Sequence, residues 1–149
     1  MKLPLVKVRK LGLIRYADAL KIQLGLAEDI AKRNADNVLL ILEHNPVYTT
    51  GIRPHENHSE KEEKRLRNLG ADFHRTKRGG LITFHGPGQM VAYPILDLTR
   101  FELPAKSSRK AIFSAKCYVD MLEQVVIDTC REGFGLTEVI KSKFYFFEL

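Results

Sequence analysis

The alternation of apolar and polar positions predicts that strands and helices follow one another along the chain. Residues 6–9 alternate in polarity, which is typical of a half-exposed strand. Residues 16–33 carry apolar side chains three and four positions apart, which predicts an amphipathic helix. Residues 38–42 are continuously apolar and too few for a helix, so they predict a buried strand. We expect the buried face of the helix to consist of Ala17, Leu20, Leu24, Ala27 and Ile30.

Short strands are expected in the middle of the chain. A turn at residues 44–46 precedes a β-prone run at 47–50, which stops at Gly51 before a polar loop. Three further β-prone runs follow, at residues 71–76, 81–84 and 90–96. Residues 136–140 predict a last short strand.

Capping residues indicate two more helices. Ser59 and Glu62 have the spacing of a capping box, and the helix that they open is expected to close at Gly70. Either Ser107 or Ser108 is expected to begin a long helix that ends near residue 131. Its apolar face is predicted to comprise Ile112, Ala115, Val119, Leu122, Val126 and Cys130.

The order of these elements predicts an α+β fold. Strands and helices are intermixed without a repeat or a linker, so we expect one domain over residues 1–149, with a mixed or antiparallel sheet covered by helices. The connections near Gly51 and Gly86 look too short for parallel crossovers.

Composition narrows the class of protein. Hydrophobic residues make up 44% of the 149 residues and charged residues 28%, which is ordinary for a globular protein. We expect no membrane span, because no apolar run reaches about 18 residues. The two cysteines are too few for a disulfide framework and are not paired as zinc ligands.

The net charge of +6 leaves two interpretations open. The chain either meets a polyanionic or acidic partner or simply has a basic surface. We expect no nucleic acid, since aromatic residues are not interleaved with the basic ones. The first fifteen residues contain five Lys or Arg and no acid, which is typical of a mitochondrial presequence as well as compatible with a first strand.

Candidate chemistry is concentrated around one short strand. Arg78-Gly79-Gly80 precedes it, and the segment from His85 to Gln89 follows it. Glycines at strand ends let a ligand approach the backbone closely, and arginine and histidine supply polar contacts. We expect Leu81, Thr83 and Phe84 to form a partly apolar wall, suited to an acyl chain. The alternative is two glycine turns with Arg78 and His85 merely solvated.

The residues from Arg78 to Gln89, in the order Arg-Gly-Gly-x-x-Thr-Phe-His-Gly-Pro-Gly-Gln, resemble the signature of the octanoyltransferases of lipoate biosynthesis. The segment Pro46-x-Tyr48-Thr49-x-Gly51 is similar to a second family segment. The chain thus resembles octanoyl-acyl carrier protein:protein N-octanoyltransferases of the animal mitochondrial type.

This resemblance implies the catalytic-domain fold shared by biotin and lipoate ligases and octanoyltransferases. It implies no cofactor and no metal. The expected donor is octanoyl-acyl carrier protein, and the expected acceptors are lipoyl domains of 2-oxoacid dehydrogenase complexes and the glycine cleavage H protein. The implied substrate-binding residues are Arg78, Gly79, Gly80, Leu81, Ile82, Thr83, Phe84 and His85, supported by Gly86, Gly88, Gln89, Tyr48 and Gly51.

Two family segments are not found in this chain. The family carries a catalytic lysine in Lys-Ile-x-Ala-Ile-Gly-Val and a catalytic cysteine in Pro-Cys-Gly, through which the acyl group passes. Residues 143–149 do not resemble family sequence, so we expect a C-terminally truncated and inactive chain. We assign no catalytic residue, because Cys117 and Cys130 lie on the apolar pattern of the long helix.

Two other functions remain open from the sequence. A lipoate or biotin ligase relative would use the same fold but activate its acid with ATP. A non-catalytic chain would bind acyl carrier protein or a lipoyl domain through its basic surface. We expect a mitochondrial location, or a cytoplasmic one if the protein is bacterial.

Overall fold

The computed structural model describes residues 4–51, 60–101 and 115–139. The described residues belong to two compact units, one within residues 4–97 and the other within residues 98–139. The first unit contains two three-stranded sheets and two helices, and the second contains the last helix. This architecture is α+β with mixed sheets, which confirms the predicted fold class. The assignment of residues 1–149 to one domain stays a prediction.

The first sheet consists of β1 (Val6–Ile14), β2 (Asn37–His44) and β6 (Val91–Ile95), in the order β1-β2-β6. β1 and β2 are parallel because α1 (Tyr16–Ala31) connects them as a crossover. β6 pairs with β2 in the antiparallel direction. The observed β1 is longer than the run predicted at residues 6–9, because pairing with β2 orders the chain as far as Ile14.

The core of the first unit lies between α1 and one face of this sheet. Six buried side chains form it, namely Ala19, Leu26, Ile30, Val38, Leu40 and Leu42. The predicted helix face was therefore wrong in most positions: Ala17, Leu24 and Ala27 are exposed, and Ile30 is the shared buried position. Apolar residues occur on more than one side of α1, and contact with the sheet selects the side that becomes buried.

The second sheet consists of β3 (Val47–Thr50), β4 (Asp72–Arg75) and β5 (Thr83–His85), in the order β4-β3-β5. β5 pairs antiparallel with β3. β3 and β4 are parallel, so the expectation that the connection near Gly51 is too short for a parallel crossover was wrong. That connection includes α2 (Glu60–Arg67) and is long enough to return the chain. The connection at Gly86 instead leads from β5 into the other sheet.

α2 is attached to β4 by one apolar and several polar contacts. Leu66 is buried, and the Arg67 guanidinium lies 5.6 Å from the centre of the Phe73 ring. The Glu63 carboxylate accepts hydrogen bonds from Arg67 and from Arg75, each with a shortest distance of 2.9 Å. These hydrogen bonds hold the pKa of Glu63 below its ordinary value, with Arg75 as the larger cause.

The second unit contains α3 (Ala115–Asp128), followed by a π-helical turn at Thr129–Gly133. Residues 136–139 have no regular structure, so the strand predicted there was wrong for these four residues. The expected helix start at Ser107 or Ser108 and the tail at residues 143–149 lie outside the described residues. Among the helices of the described ranges, not one is long and apolar enough to cross a membrane.

Candidate functional site

The candidate site is centred on β5, whose side chains alternate between the two faces of the sheet. Successive side chains of a strand point to opposite faces of its sheet. Thr83 and His85 therefore lie on one face, and Phe84 lies on the other. The expected wall of Leu81, Thr83 and Phe84 is accordingly divided between two faces of the sheet.

Phe84 belongs to an aromatic pair on the face away from His85. Its ring lies 5.0 Å from that of Tyr48, its cross-strand neighbour on β3, and 48% of the residue is exposed. The ring also covers Gly86, where an added Cβ atom would lie 2.9 Å from it. Tyr48, Phe84 and Gly86 thus shape the outer side of the turn after β5.

The His85 ring is held by contacts on two sides. Its Nδ1 atom lies 3.0 Å from Oε1 of Gln89, and its ring centre lies 6.0 Å from that of His44 in an edge-on arrangement. Since an amide oxygen only accepts hydrogen bonds, Nδ1 carries the proton, and Nε2 of the neutral ring is an acceptor. Nε2 has no hydrogen-bond partner within the described ranges of the chain. It is available to a ligand hydroxyl, amine or thiol.

Behind His85 lies His44, which is fully buried at 0% exposure. It is the last residue of β2, where the chain passes from the first sheet to the second. Its Nδ1 atom donates to the carbonyl oxygen of Ile14 at 3.2 Å, because a carbonyl oxygen can only accept. In the neutral ring its Nε2 atom therefore accepts from the Tyr93 hydroxyl at 2.9 Å. β1, β2 and β6 thus converge on one side chain.

The rings of His44, His85 and Tyr93 form a cluster, and further aromatic rings extend it. Tyr16, at the start of α1, is buried, with its ring centre 5.4 Å from that of His44 and 5.1 Å from that of His74. The cluster is aromatic rather than metal-binding in arrangement. Among the described residues, no three His, Cys, Asp or Glu side chains are grouped as metal ligands.

Arg78 is buried rather than solvated, with 7% of the residue exposed. Its guanidinium donates to the carbonyl oxygens of Thr49, Gly79 and Leu81 and to the Thr49 hydroxyl. The alternative of a merely solvated Arg78 is therefore wrong. The sequence placed this side chain against a ligand, and the structure places it against the chain's own backbone.

The loop after Arg78 lies tightly against the end of β3. A Cβ atom added at Gly51 would lie 2.5 Å from the Arg78 carbonyl oxygen and 2.8 Å from that of Gly80. Such distances are excluded for real side chains, so only glycine allows this approach. Gly79 is exposed, Gly80 is half-buried, and next to them Leu81 is exposed and Ile82 half-buried.

The turn after β5 is tied to the first sheet. The backbone N–H of Gly88 donates to a carboxylate oxygen of Glu43, near the end of β2, at 2.7 Å. This bond, together with the contact between His85 and Gln89, defines the position of the Gly86–Gln89 segment. Both glycine segments that flank β5 are therefore anchored to neighbouring strands.

The structure adds residues that the sequence did not single out. His44, Tyr93 and Glu43 support the site from the first sheet, and their local pattern is that of ordinary strand residues. Thr49 belongs to the Pro46-x-Tyr48-Thr49-x-Gly51 segment, and Tyr16 is the first residue of the predicted helix. Long-range contacts determine these roles, so the sequence carries no direct signal for them.

One protein family and several known proteins are similar to this chain. The family described as the lipoyl protein ligase A/B catalytic domain matches residues 15–139. A putative mitochondrial lipoyltransferase 2 of Drosophila melanogaster is 45% identical over 144 residues, covering 94% of this chain and 56% of the relative. A mitochondrial octanoyl-acyl-carrier-protein:protein N-octanoyltransferase of Xenopus tropicalis is 44% identical over 140 residues, covering 91% and 54%.

Bacterial proteins are also similar. An octanoyltransferase of Acidobacterium capsulatum is 40% identical over 126 residues, covering 85% of this chain and 50% of the relative. The chain spans about half the length of the curated relatives that it matches. The matched residues include β5 and both glycine segments that flank it. The family match over residues 15–139, the resemblance of the segment from Arg78 to Gln89 and the mixed sheets lead to one conclusion: the chain belongs to the lipoyl protein ligase A/B catalytic-domain family.

Proposed function

We propose that this chain provides the acyl-binding part of an octanoyltransferase site in lipoate biosynthesis. In this reaction an octanoyl group leaves the thioester of acyl carrier protein and is transferred to a lysine of a lipoyl-bearing protein. The relatives named octanoyltransferases support the reaction class. The residues proposed to line the site lie in the loop and strand around β5, namely Gly79, Gly80, Leu81, Ile82, Thr83 and His85.

One observation carries the proposal. Thr83 and His85 share a face of β5, and the Nε2 atom of His85 has no partner among the described residues. The glycine loop lies at the other end of the same strand. A polar acceptor and an open backbone loop therefore flank one short strand, which suits a ligand with a polar thioester and an extended acyl chain.

Apolar contact with the acyl chain is assigned to Leu81 and Ile82. Leu81 is 48% exposed and Ile82 is half-buried, so both have surface to offer a ligand. Phe84 lies on the opposite face of β5, and we place it in the support of the site through Tyr48.

The partners follow from the reaction. We propose octanoyl-acyl carrier protein as the donor and lipoyl domains of 2-oxoacid dehydrogenase complexes or the glycine cleavage H protein as acceptors. We also propose a mitochondrial location, since relatives from Drosophila melanogaster and Xenopus tropicalis carry that description.

The chain is proposed to bind the donor without completing transfer. Acyl transfer through a covalent intermediate needs an activated nucleophile such as a thiolate. The only two cysteines of the sequence, Cys117 and Cys130, are both half-buried, and they lie in α3 and in the π-helical turn that follows it. We therefore expect no stable octanoyl thioester on either residue.

Titration with octanoyl-acyl carrier protein, followed by intact-mass analysis, tests this function. We expect saturable binding, no mass increase of an octanoyl group, and no adenylate when octanoate and ATP are supplied. His85→Gln should weaken binding about tenfold, the loss of one good polar contact. Leu24→Gln, an exposed change on α1, is the matched control. Absence of saturable binding would refute the proposed site, and an acylated cysteine would refute the lack of transfer.

A further inference from the structure

We propose that Arg78 is a positioning residue that shapes the Gly79–Leu81 loop and does not itself hold the substrate. This inference rests on the proposed function for its consequence, namely acyl binding, but its structural part stands on contacts within the chain. The side chain ties the loop to β3 and engages two of its carbonyl groups, those of Gly79 and Leu81.

All three nitrogens of the guanidinium donate within the chain. Nε lies 3.3 Å from the Thr49 hydroxyl, and Nη1 lies 2.9 Å from the Gly79 carbonyl oxygen. Nη2 lies 2.7 Å from the Thr49 carbonyl oxygen, 2.8 Å from its hydroxyl and 2.9 Å from the Leu81 carbonyl oxygen. A planar fork with several fixed donors is suited to bridging acceptors in this way, whereas a lysine ammonium is not.

The burial of Arg78 supports an internal role. The residue is 7% exposed, so a ligand could reach little of its surface. A buried charge requires hydrogen bonds to compensate for lost water, and the carbonyl groups of the loop provide them. Removing these bonds to free the guanidinium for a ligand would leave several acceptors unpaired.

We call the hydrogen bonds from Arg78 to Thr49, Gly79 and Leu81 the clamp. Thr49 makes this clamp rigid. It lies in the middle strand of the second sheet and is itself 1% exposed, so its position is set by β4 on one side and β5 on the other. Thr76 adds a second tether, because its backbone N–H and its hydroxyl both donate to the Thr50 carbonyl oxygen. Arg78 thus attaches the loop to β3, and Thr76 attaches the segment that precedes it.

The contacts of Arg78 also determine which backbone groups of the loop already have a hydrogen-bond partner. Arg78 engages the carbonyl oxygens of Gly79 and Leu81, which would otherwise repel the carbonyl oxygen of a thioester. The amide groups of Gly79 and Gly80 donate no hydrogen bond to any described residue. Arg78 therefore leaves the loop as a donor surface, which is the polarity that a thioester oxygen needs.

The test compares substitutions of both halves of the clamp in the full chain. Arg78→Lys keeps the charge but loses the fork, and Thr49→Val removes the hydroxyl at nearly constant volume. Thr49→Ser keeps the hydroxyl and is the conservative control. The readouts are the ¹⁵N order parameters of Gly79 and Gly80, the dissociation constant for octanoyl-pantetheine, and the midpoint of global unfolding.

We expect order parameters near the rigid value of about 0.85 in the starting protein and Thr49→Ser, and below about 0.6 in Arg78→Lys and Thr49→Val. The same two variants should bind octanoyl-pantetheine about tenfold more weakly. Should Arg78→Lys fail to fold, the pair of Thr49 variants still provides the comparison.

Two results would overturn the inference. A loop that stays ordered in both Arg78→Lys and Thr49→Val while affinity falls would mean that Arg78 contacts the ligand directly. A disordered loop with unchanged affinity would mean that loop shape does not matter to binding. If the starting protein does not bind octanoyl-pantetheine, the proposed function fails, and the order parameters still decide whether the clamp exists.

Discussion

At the residue scale, one buried polar side chain connects the three strands of the first sheet. His44 uses both ring nitrogens, one on the Ile14 carbonyl and one on the Tyr93 hydroxyl. A buried polar group that loses its partner is costly, whereas a satisfied pair contributes only modestly. Removing one partner of His44 is therefore expected to destabilise the protein by more than the intact contact contributes.

His44→Leu should lower the free energy of unfolding by about 2–4 kcal/mol, because two polar groups lose their partner at once. Tyr93→Phe removes only the hydroxyl and should cost about 1–3 kcal/mol. Urea denaturation of both variants measures these values. A smaller loss for His44→Leu than for Tyr93→Phe would contradict the central position of the histidine.

Gly51→Ala tests the close approach between β3 and the Gly79–Leu81 loop. The added methyl group would meet backbone oxygen atoms at 2.5 and 2.8 Å, and backbone cannot move aside as a flexible side chain can. We expect a loss of about 1–3 kcal/mol in the free energy of unfolding. Gly79→Ala is the matched control, because its Cβ atom would meet nothing within 4 Å. Equal thermal shifts in the two variants would argue against the close packing.

At the scale of elements, α1 contains an exposed glycine within a regular helix. Gly25 has no atom within 4 Å of an added Cβ. Gly25→Ala should raise the free energy of unfolding by about 0.5–1 kcal/mol, because alanine loses less backbone entropy in a helix. Gly70→Ala should do the opposite, since Gly70 ends the turn after α2 with a φ angle of 83°. Thermal denaturation of both variants tests whether Gly25→Ala raises the stability and Gly70→Ala lowers it.

The link between α2 and β4 should depend on pH. Hydrogen bonds from Arg75 and Arg67 lower the pKa of Glu63 in the folded state from its ordinary value of 4.5. The stabilisation is therefore present above that value and is lost as the pH falls through the lowered pKa. Glu63→Gln should cost about 0.2–1 kcal/mol at pH 7, as is usual for surface pairs, and less at pH 3.

A cycle with Arg75→Gln isolates this contact. The coupling between the two positions, measured by urea denaturation, should shrink as the pH falls from 7 to 3. A coupling that grows under acid would contradict the assigned cause of the pKa shift.

At the scale of the whole molecule, the net charge of +6 should influence partner binding. Long-range attraction to an acidic carrier protein is screened by salt. We expect the dissociation constant for octanoyl-acyl carrier protein to rise about tenfold or more as salt increases from low to high concentration. The affinity for uncharged octanoyl-pantetheine should change little under the same conditions, which separates attraction at the surface from contacts in the site.

The sequence by itself determined most elements and predicted where along the chain the candidate site lies. Strand and helix periodicity, the glycine after α2 and the segment from Arg78 to Gln89 are local features, and the chain pattern predicts them without knowledge of distant contacts. The alternation along β5 is a property of any strand and separates Phe84 from Thr83 and His85, so the single wall of Leu81, Thr83 and Phe84 expected from the sequence is divided.

Only the tertiary structure decided which groups meet. Apolar residues on several sides of α1 allowed more than one buried face, and packing on the sheet selected one. The sequence predicted Arg78 at the site but not its burial against Thr49, and it gave no sign that His44 contacts Tyr93. These pairs are separated by 29 and 49 positions, and such contacts depend on strand pairing and packing rather than on local periodicity.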